Sequence, residues 1–365
     1  MGAPSQAVSI AAEVLGALPD AVDPFALSLN ENPFPPLPSV RAALLESIDA
    51  ANRYPEFLPE RMRTLIAGRI GVRDEQVVLG QGATGVILQV LHAVTSHGDR
   101  MVLTSPTFDG YPIFAQMARL VPVTVPLDEH GHHDLDAMAD AASDARVVVL
   151  CRPHNPTGTL ESVADVERFL RRVPGDTVVL LDEAYVEFVA PEHRLDAAEL
   201  VRRFPNLVVL RTFSKAYGLA GLRIGYGFGA PDLAKTLWKM QLPFGVSIIG
   251  AVAVAASYDA ESQLRQRIRL ITAERRYLGR RLRAMGIYCT DGHANFMYLP
   301  AAGRPWRQVF DKAGPQVRHY GNGGVRITVG GRASTRAVLA ALARCSEPGD
   351  TKTPKVDAVA GRRAV

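Results

Sequence analysis

Lys215 is the first of only six lysines in a chain of 365 residues that holds thirty-five arginines. A guanidinium stays charged near neutral pH, whereas a lysine amine can shed its proton and attack or condense with a carbonyl. Lys215 follows the apolar run Leu207-Val208-Val209-Leu210 and is itself followed, eight residues on, by Arg223. An amine at the end of a buried strand, in a chain that otherwise takes its positive charge from arginine, points to a chemical need. The plain reading is a lysine in a surface turn.

Four further groups stand at the ends of apolar runs. After 76–79 comes Gly80-Gln81-Gly82-Ala83-Thr84-Gly85. Small residues ahead of a helix leave N–H groups free for an anion such as phosphate, or merely make a tight turn. After 100–104 comes Ser105-Pro106-Thr107-Phe108, whose aromatic is either core or a partner for a planar ring. After 146–151 comes Arg152-Pro153-His154-Asn155-Pro156-Thr157-Gly158, a composition that also suits an ordinary turn. After 177–182 comes Asp182-Glu183-Ala184-Tyr185. A carboxylate there is costly to desolvate without a partner, unless it caps a helix or makes a local ion pair. Each group has its own structural explanation. Five of them at strand ends of one sheet are hard to explain without a shared ligand.

The elements that must position these groups alternate. Apolar runs at 76–79, 100–104, 121–125, 146–151, 177–182, 207–212 and 224–228 are interleaved with helical patterns such as 83–94 and 162–172. Such alternation predicts an α/β fold with a mostly parallel seven-stranded sheet covered on both faces. Ligands of such sheets bind beyond the carboxyl ends of the strands. From 260 to 285 the pattern becomes one long amphipathic helix, with Leu264, Ile268, Ile271, Leu278 and Leu282 on its apolar stripe. Strand patterns at 296–299 and 325–329 and a helix at 335–344 then suggest a smaller α+β domain. The expected organisation is an N-terminal arm (1–29), a large domain (30–255), a small C-terminal domain (256–346) and a disordered tail (347–365).

Hydrophobic residues make up 47% and charged ones 21%, so a large core is expected; the net charge is +4, and no basic run is interleaved with aromatics. Nucleic acid is therefore a poor partner. Cys151, Cys289 and Cys345 are scattered, which argues against a disulfide framework and for a reducing compartment. No stretch approaches the roughly 18 apolar residues of a membrane span, and a cytoplasmic protein is expected. Glu129-His130-Gly131-His132-His133-Asp134 is rich in ligand types but reads as a solvated hairpin, and no metal is expected. Pro243-Phe244 reads as framing a substrate channel or as core packing.

Thr212-Phe213-Ser214-Lys215-Ala216-Tyr217-Gly218-Leu219-Ala220-Gly221 resembles the cofactor-attachment motif of the fold-type-I, pyridoxal 5'-phosphate (PLP) dependent aminotransferases, in their histidinol-phosphate and aromatic branch. Leu29-Asn30-Glu31-Asn32-Pro33, Asn52-Arg53-Tyr54-Pro55, Asn155-Pro156-Thr157-Gly158, Asp182-Glu183-Ala184-Tyr185 and Val325-Arg326-Ile327-Thr328-Val329 match in order, from about 27 to 342.

The resemblance implies that Lys215 carries PLP and, once displaced, moves the substrate Cα proton. Asp182 would pair with the pyridine nitrogen, Asn155 and Tyr185 would bond the ring's phenolic oxygen, and Phe108 would stack on the ring where a tyrosine is more usual. Gly82, Ala83, Thr84, Ser214 and Arg223 would surround the phosphate, joined by Tyr54 from the neighbouring subunit of a homodimer, and Thr212 would also line the cofactor site. Arg326 would hold the substrate carboxylate, near Asn30, and Arg318 would face the substrate side chain or serve in a salt bridge. Three departures weaken a histidinol-phosphate reading: Leu18-Pro19-Asp20 replaces a Tyr-x-Pro-Gly segment, Thr84-Gly85 replaces an acidic pair, and His154 stands where asparagine is typical. The expected reaction moves an amino group between a phenylalanine-like amino acid and 2-oxoglutarate. The alternatives are histidinol-phosphate transamination and decarboxylation of a phosphorylated amino acid.

Overall fold

The computed structural model describes residues 19–311 and 314–344. The expected disordered tail lies outside them, as do residues 1–18 of the expected arm and Cys345. Seven strands form the principal sheet: β1 (Val77–Gln81), β2 (Arg100–Ser105), β3 (Val121–Pro126), β4 (Val147–Cys151), β5 (Val178–Asp182), β6 (Leu207–Thr212) and β7 (Ile224–Gly229). Their order is β1-β7-β6-β5-β4-β2-β3. β4 and β5 are buried along their whole length, as unbroken Val/Leu runs require when helices cover both faces. β3 closes one edge with Val121 half exposed and carries Pro122 and Pro126, residues that an edge tolerates because no ladder needs their missing N–H.

β7 departs from the parallel pattern. It runs antiparallel to both β6 and β1, so the other six strands share one direction and their carboxyl ends lie along a single edge. The helix Gly82–Val94 leaves β1 there and buries Val86, Ile87, Val90 and Leu91. It starts so close to β7 that a Cβ on Gly225 would stand 2.3 Å from the Ala83 nitrogen; only glycine fits that contact. Gln76, expected as strand, sits in a short 3-10 turn and donates to the Gly229 carbonyl at 2.9 Å.

The long helix runs from Glu261 to Ala284 and buries Leu264, Ile271, Leu278 and Leu282. It packs near a second sheet, β8 (Phe296–Leu299), β10 (Val325–Thr328) and the two-residue β9 (Arg318–His319), with β10 central and antiparallel to both. β9 is too short to have been read from its pattern. The helix Ile248–Asp259 runs across residue 256, where the composition suggested a change of domain. Residues 25–30 run alongside the small sheet: Leu27 N–H donates to the Gln316 carbonyl and Thr328 N–H to the Leu27 carbonyl, both at 2.9 Å. Asn30 N–H donates to the Thr328 hydroxyl at 3.0 Å.

Just past β5, a charged layer is sealed beneath the sheet. Arg211 donates twice to Glu183, at 2.8 and 3.0 Å, while Glu187 keeps a buried carboxyl oxygen without a partner. Burial pushes the Glu187 carboxyl up to about 7, with Arg211 pulling against it. Between its ordinary range near 4.5 and about 7 the folded state therefore holds a proton that the unfolded chain releases, so this group makes stability fall as pH rises through that window. Thermal unfolding followed from pH 5 to 8 should show the wild type losing more stability than Glu187→Gln. Parallel curves for the two proteins would contradict the assignment.

Candidate active site

The carboxyl ends of the strands open on a cavity of about 370 Å³. The helix after β1 contributes Ala83 and Thr84, and the loop after β2 contributes Phe108. Asn155 follows β4, Asp182 and Tyr185 come from β5, and Thr212, Ser214 and Lys215 end β6. Arg223, Arg318, Arg326 and Asn30 complete the wall. Gly82 lies immediately behind it at φ +74°, where a Cβ would stand 2.6 Å from Arg223 Nη2. Of the other site residues singled out in the sequence, Tyr54 lies away from the cavity: it is 82% exposed and packs on Phe244, 4.9 Å between ring centroids. Phe244 lines no part of the cavity either.

Lys215 Nζ donates to the carbonyls of Leu29 (3.1 Å) and Asn30 (3.3 Å). Burial and the nearby Arg326 lower its pKa to about 8, against the pull of Glu31 and Asp182. The shift makes the neutral amine, the form that attacks a carbonyl, far more accessible than it is for an ordinary lysine. The turn that presents it is pinned by Asn32, whose side-chain amide donates to the carbonyls of Lys215 (3.1 Å) and Ala216 (3.0 Å).

Asp182 is 6% exposed. Its carboxylate accepts from the Tyr111 hydroxyl and from Ala184 N–H at 2.9 Å, and among the described residues no basic side chain pairs with it. Burial raises its pKa, and the Tyr111 bond opposes the rise. Neither a helix cap nor a local ion pair accounts for it. Arg326, on β10, is 5% exposed. It donates to Asn155 Oδ1 and to the Ser28 carbonyl (2.6 Å), its Nε is buried without a partner, and no carboxylate among the described residues pairs with it. A strand-edge salt bridge is therefore not its role. Asn155 turns its other end to Tyr185, whose hydroxyl accepts from Asn155 (3.4 Å) and Asn30 (3.0 Å). Burial raises the Tyr185 pKa, so the phenol keeps its proton.

At the helix start, Arg223 sits in the left-handed region (φ 53°) and reaches Thr84 Oγ1 at 3.4 Å. The Thr212 hydroxyl donates to Ser214 Oγ at 3.0 Å. Free N–H groups, three hydroxyls and a guanidinium together could cradle an anion. Arg318 pairs with Asp109 at 2.7 Å, both about half exposed.

Two contributors escaped the sequence. Tyr111, which supports Asp182, is three residues after Phe108 and looks like core, as its ring is. Asp109 is a short loop acid whose partner is 209 residues away. The solvated-hairpin reading of 129–134 needs correction at its end. His133 is 6% exposed, its Nδ1 is 2.8 Å from Glu161, and its ring packs on His154. The cause is the docking of the hairpin on the Asn-Pro-Thr-Gly turn, where Thr157 and Thr159 both donate to the Gly131 carbonyl at 2.8 Å.

In coenzyme-free protein, modification of Lys215 by an amine reagent should follow a midpoint near pH 8. A Lys215 midpoint near the ordinary lysine value of 10.5, read by peptide mapping, would remove the basis for a specialised amine.

The family model for aminotransferase class I and II matches residues 22–342. Aromatic amino acid aminotransferases from Cutibacterium acnes and Streptomyces coelicolor are each 41% identical to this chain, covering 87% and 84% of it and 91% and 86% of their own lengths. Among solved structures, the histidinol-phosphate aminotransferase from Sinorhizobium meliloti, in complex with pyridoxal-5'-phosphate, superposes with a TM-score of 0.80 at 26% identity, over 91% of this chain and 96% of that one. With its mostly parallel seven-stranded sheet and this extent of similarity, the chain belongs to the class I and II aminotransferases and is a PLP-dependent enzyme of fold type I.

Proposed function

We propose that this aminotransferase moves the amino group of an aromatic L-amino acid to 2-oxoglutarate, working as a homodimer. The observation that carries the reading is the Lys215 amine, held by two backbone carbonyls, in one cavity with a carboxylate lacking a basic partner and a guanidinium lacking an acidic one among the described residues. When bound, PLP supplies an aldehyde and an electron-withdrawing ring that accept the amino group and the electron pair released at the substrate Cα.

The groups present suit such a coenzyme. Lys215 would hold it covalently, and the uncompensated Asp182 would meet the positive charge of its ring nitrogen, an arrangement that also keeps Asp182 ionised. Tyr185 and Asn155 would bond its phenolic oxygen, and Phe108 would lie against the ring. Gly82, Ala83 and Thr84, with Thr212, Ser214 and Arg223, would hold its phosphate. Arg326, steadied by Asn155 and Ser28 and flanked by Asn30, would take the substrate carboxylate through its remaining donors. With the α-amino acid so oriented, Lys215 Nζ, once displaced from the coenzyme, would remove the Cα proton and later return one. Tyr54 stands exposed against Phe244, which also packs on the exposed Phe57, an apolar surface that suits contact with a second subunit, where Tyr54 would reach that subunit's coenzyme phosphate.

Relatives at about 41% identity named for aromatic amino acids support that substrate class. Arg318 adds to it: its charge is met by Asp109, which leaves less positive potential for a substrate phosphate. Histidinol phosphate is the second reading, because the solved neighbour of that name shares the fold.

Lys215→Ala should lose at least about 10²–10⁴-fold in kcat, and near-normal turnover would overturn the mechanism. Arg326→Gln should raise KM for the amino donor roughly 10–100-fold, the effect of one charge-assisted bond worth about 1.5–3 kcal/mol. With 2-oxoglutarate as acceptor, phenylalanine and tyrosine should be turned over well ahead of histidinol phosphate. The reverse order would reassign the substrate while leaving the chemistry in place. Asp109→Asn, which uncovers Arg318, should improve the use of phosphate-bearing donors relative to phenylalanine.

A further inference from the structure

Behind the cavity wall lies a buried polar strut that the chemistry above does not use. His154 is 0% exposed, and its Nε2 is 3.1 Å from the carbonyl oxygen of Pro106. A carbonyl only accepts, so Nε2 carries the proton. Burial and the adjacent His133 hold the pKa of His154 down to about 3, so the ring is neutral at working pH, and its Nδ1 is buried without a partner. The His133 ring meets it nearly edge-on, with centroids 4.3 Å apart and planes at 72°. His133 is anchored in turn by Glu161 at 2.8 Å. Against the effect of burial, His133 and the half-exposed His132 hold the Glu161 carboxyl well below its usual range.

Both ends of this strut are next to site residues. Pro106 is two residues ahead of Phe108, and His154 immediately precedes Asn155, whose side-chain amide joins Tyr185 to Arg326. The backbone of His154 also closes its own turn, donating to the Thr159 carbonyl at 2.9 Å and accepting from Gly158 N–H at 2.7 Å. One imidazole thus ties the loop after β2 to the loop after β4.

We propose that His154 is a positioning residue for the transamination, bridging the two loops so that Phe108 and Asn155, and through Asn155 the Arg326 guanidinium, hold their places. The inference rests on the assignment above of Phe108 to the coenzyme and Arg326 to the substrate. The unpartnered Nδ1 fits this role: the ring is fixed by its Nε2 bond and by packing alone, so its contribution is concentrated in that one donor.

The test compares His154→Leu with His154→Gln, whose amide nitrogen reaches about as far as Nε2. In the holoenzyme, His154→Leu should lower kcat about tenfold or more, raise KM for the amino donor and shift the coenzyme absorption band. In the coenzyme-free protein it should speed amide exchange over residues 106–111. His154→Gln should recover most of each effect. If His154→Leu proves unfolded, His154→Ser, too short to reach Pro106, makes the same comparison. The proposal falls if the folded variant lacking the donor stays within about twofold of wild type in kcat and KM with an unchanged spectrum, or if His154→Gln is no better than it. A Phe108→Ala control separates the two layers. Undiminished coenzyme affinity in that control would fault the reading of Phe108, and the exchange measurement would then decide on the strut alone.

Discussion

Asp182 and Arg326 are buried charges that the chain itself does not neutralise, and both line the cavity that holds the Lys215 amine. Uncompensated burial of an ion is strongly unfavourable. The fold meets that demand only with dipoles: a tyrosine hydroxyl and one N–H for the carboxylate, an amide oxygen and a carbonyl for the guanidinium, two carbonyls for the amine. The opposite charges that would complete the arrangement are those of a zwitterionic amino acid and a cationic heterocycle. The same proximity explains the amine, since Arg326 and loss of water both favour its neutral form.

The architecture follows from the need to gather such groups. Six strands in one direction place their carboxyl ends along one edge, and the antiparallel β7 fills the gap between β1 and β6 without adding a competing end. Gly225 lets β7 approach the helix start closely enough for Arg223 to reach Thr84. Glu183 with Arg211 shows the other way of burying charge, a matched pair beneath the sheet. That contrast separates a charge pair closed within the scaffold from the charges of Asp182 and Arg326, left without an ionic partner among the described residues.

Most of the principal sheet was legible because its strands are short Val/Leu runs broken by turn residues, and the site was legible because chemistry collects at strand ends. Lys215, Asp182 and Asn155 all stand just where an apolar run stops, while Arg326 interrupts the apolar pattern of β10 from within. What resisted reading depends on distant pairings. Tyr111 resembles any core aromatic until Asp182 is beside it. Arg318 is a plain surface cation until Asp109 faces it. His133 looked solvated because its neighbours are polar; its burial comes from a turn more than twenty residues later. The direction of β7 leaves no trace in composition, as both orientations bury the same residues.

The segment 25–30 acts as a tether with two attachments. On one side Ser28 and Leu27 are bonded to strand β10 and its arginine; on the other, the carbonyls of Leu29 and Asn30 grip the amine at the tip of β6. The two sheets therefore cannot slide past one another without either stretching this tether or prising its oxygens away from the lysine. Rigid-body motion and the freeing of the Lys215 amine share one mechanical linkage.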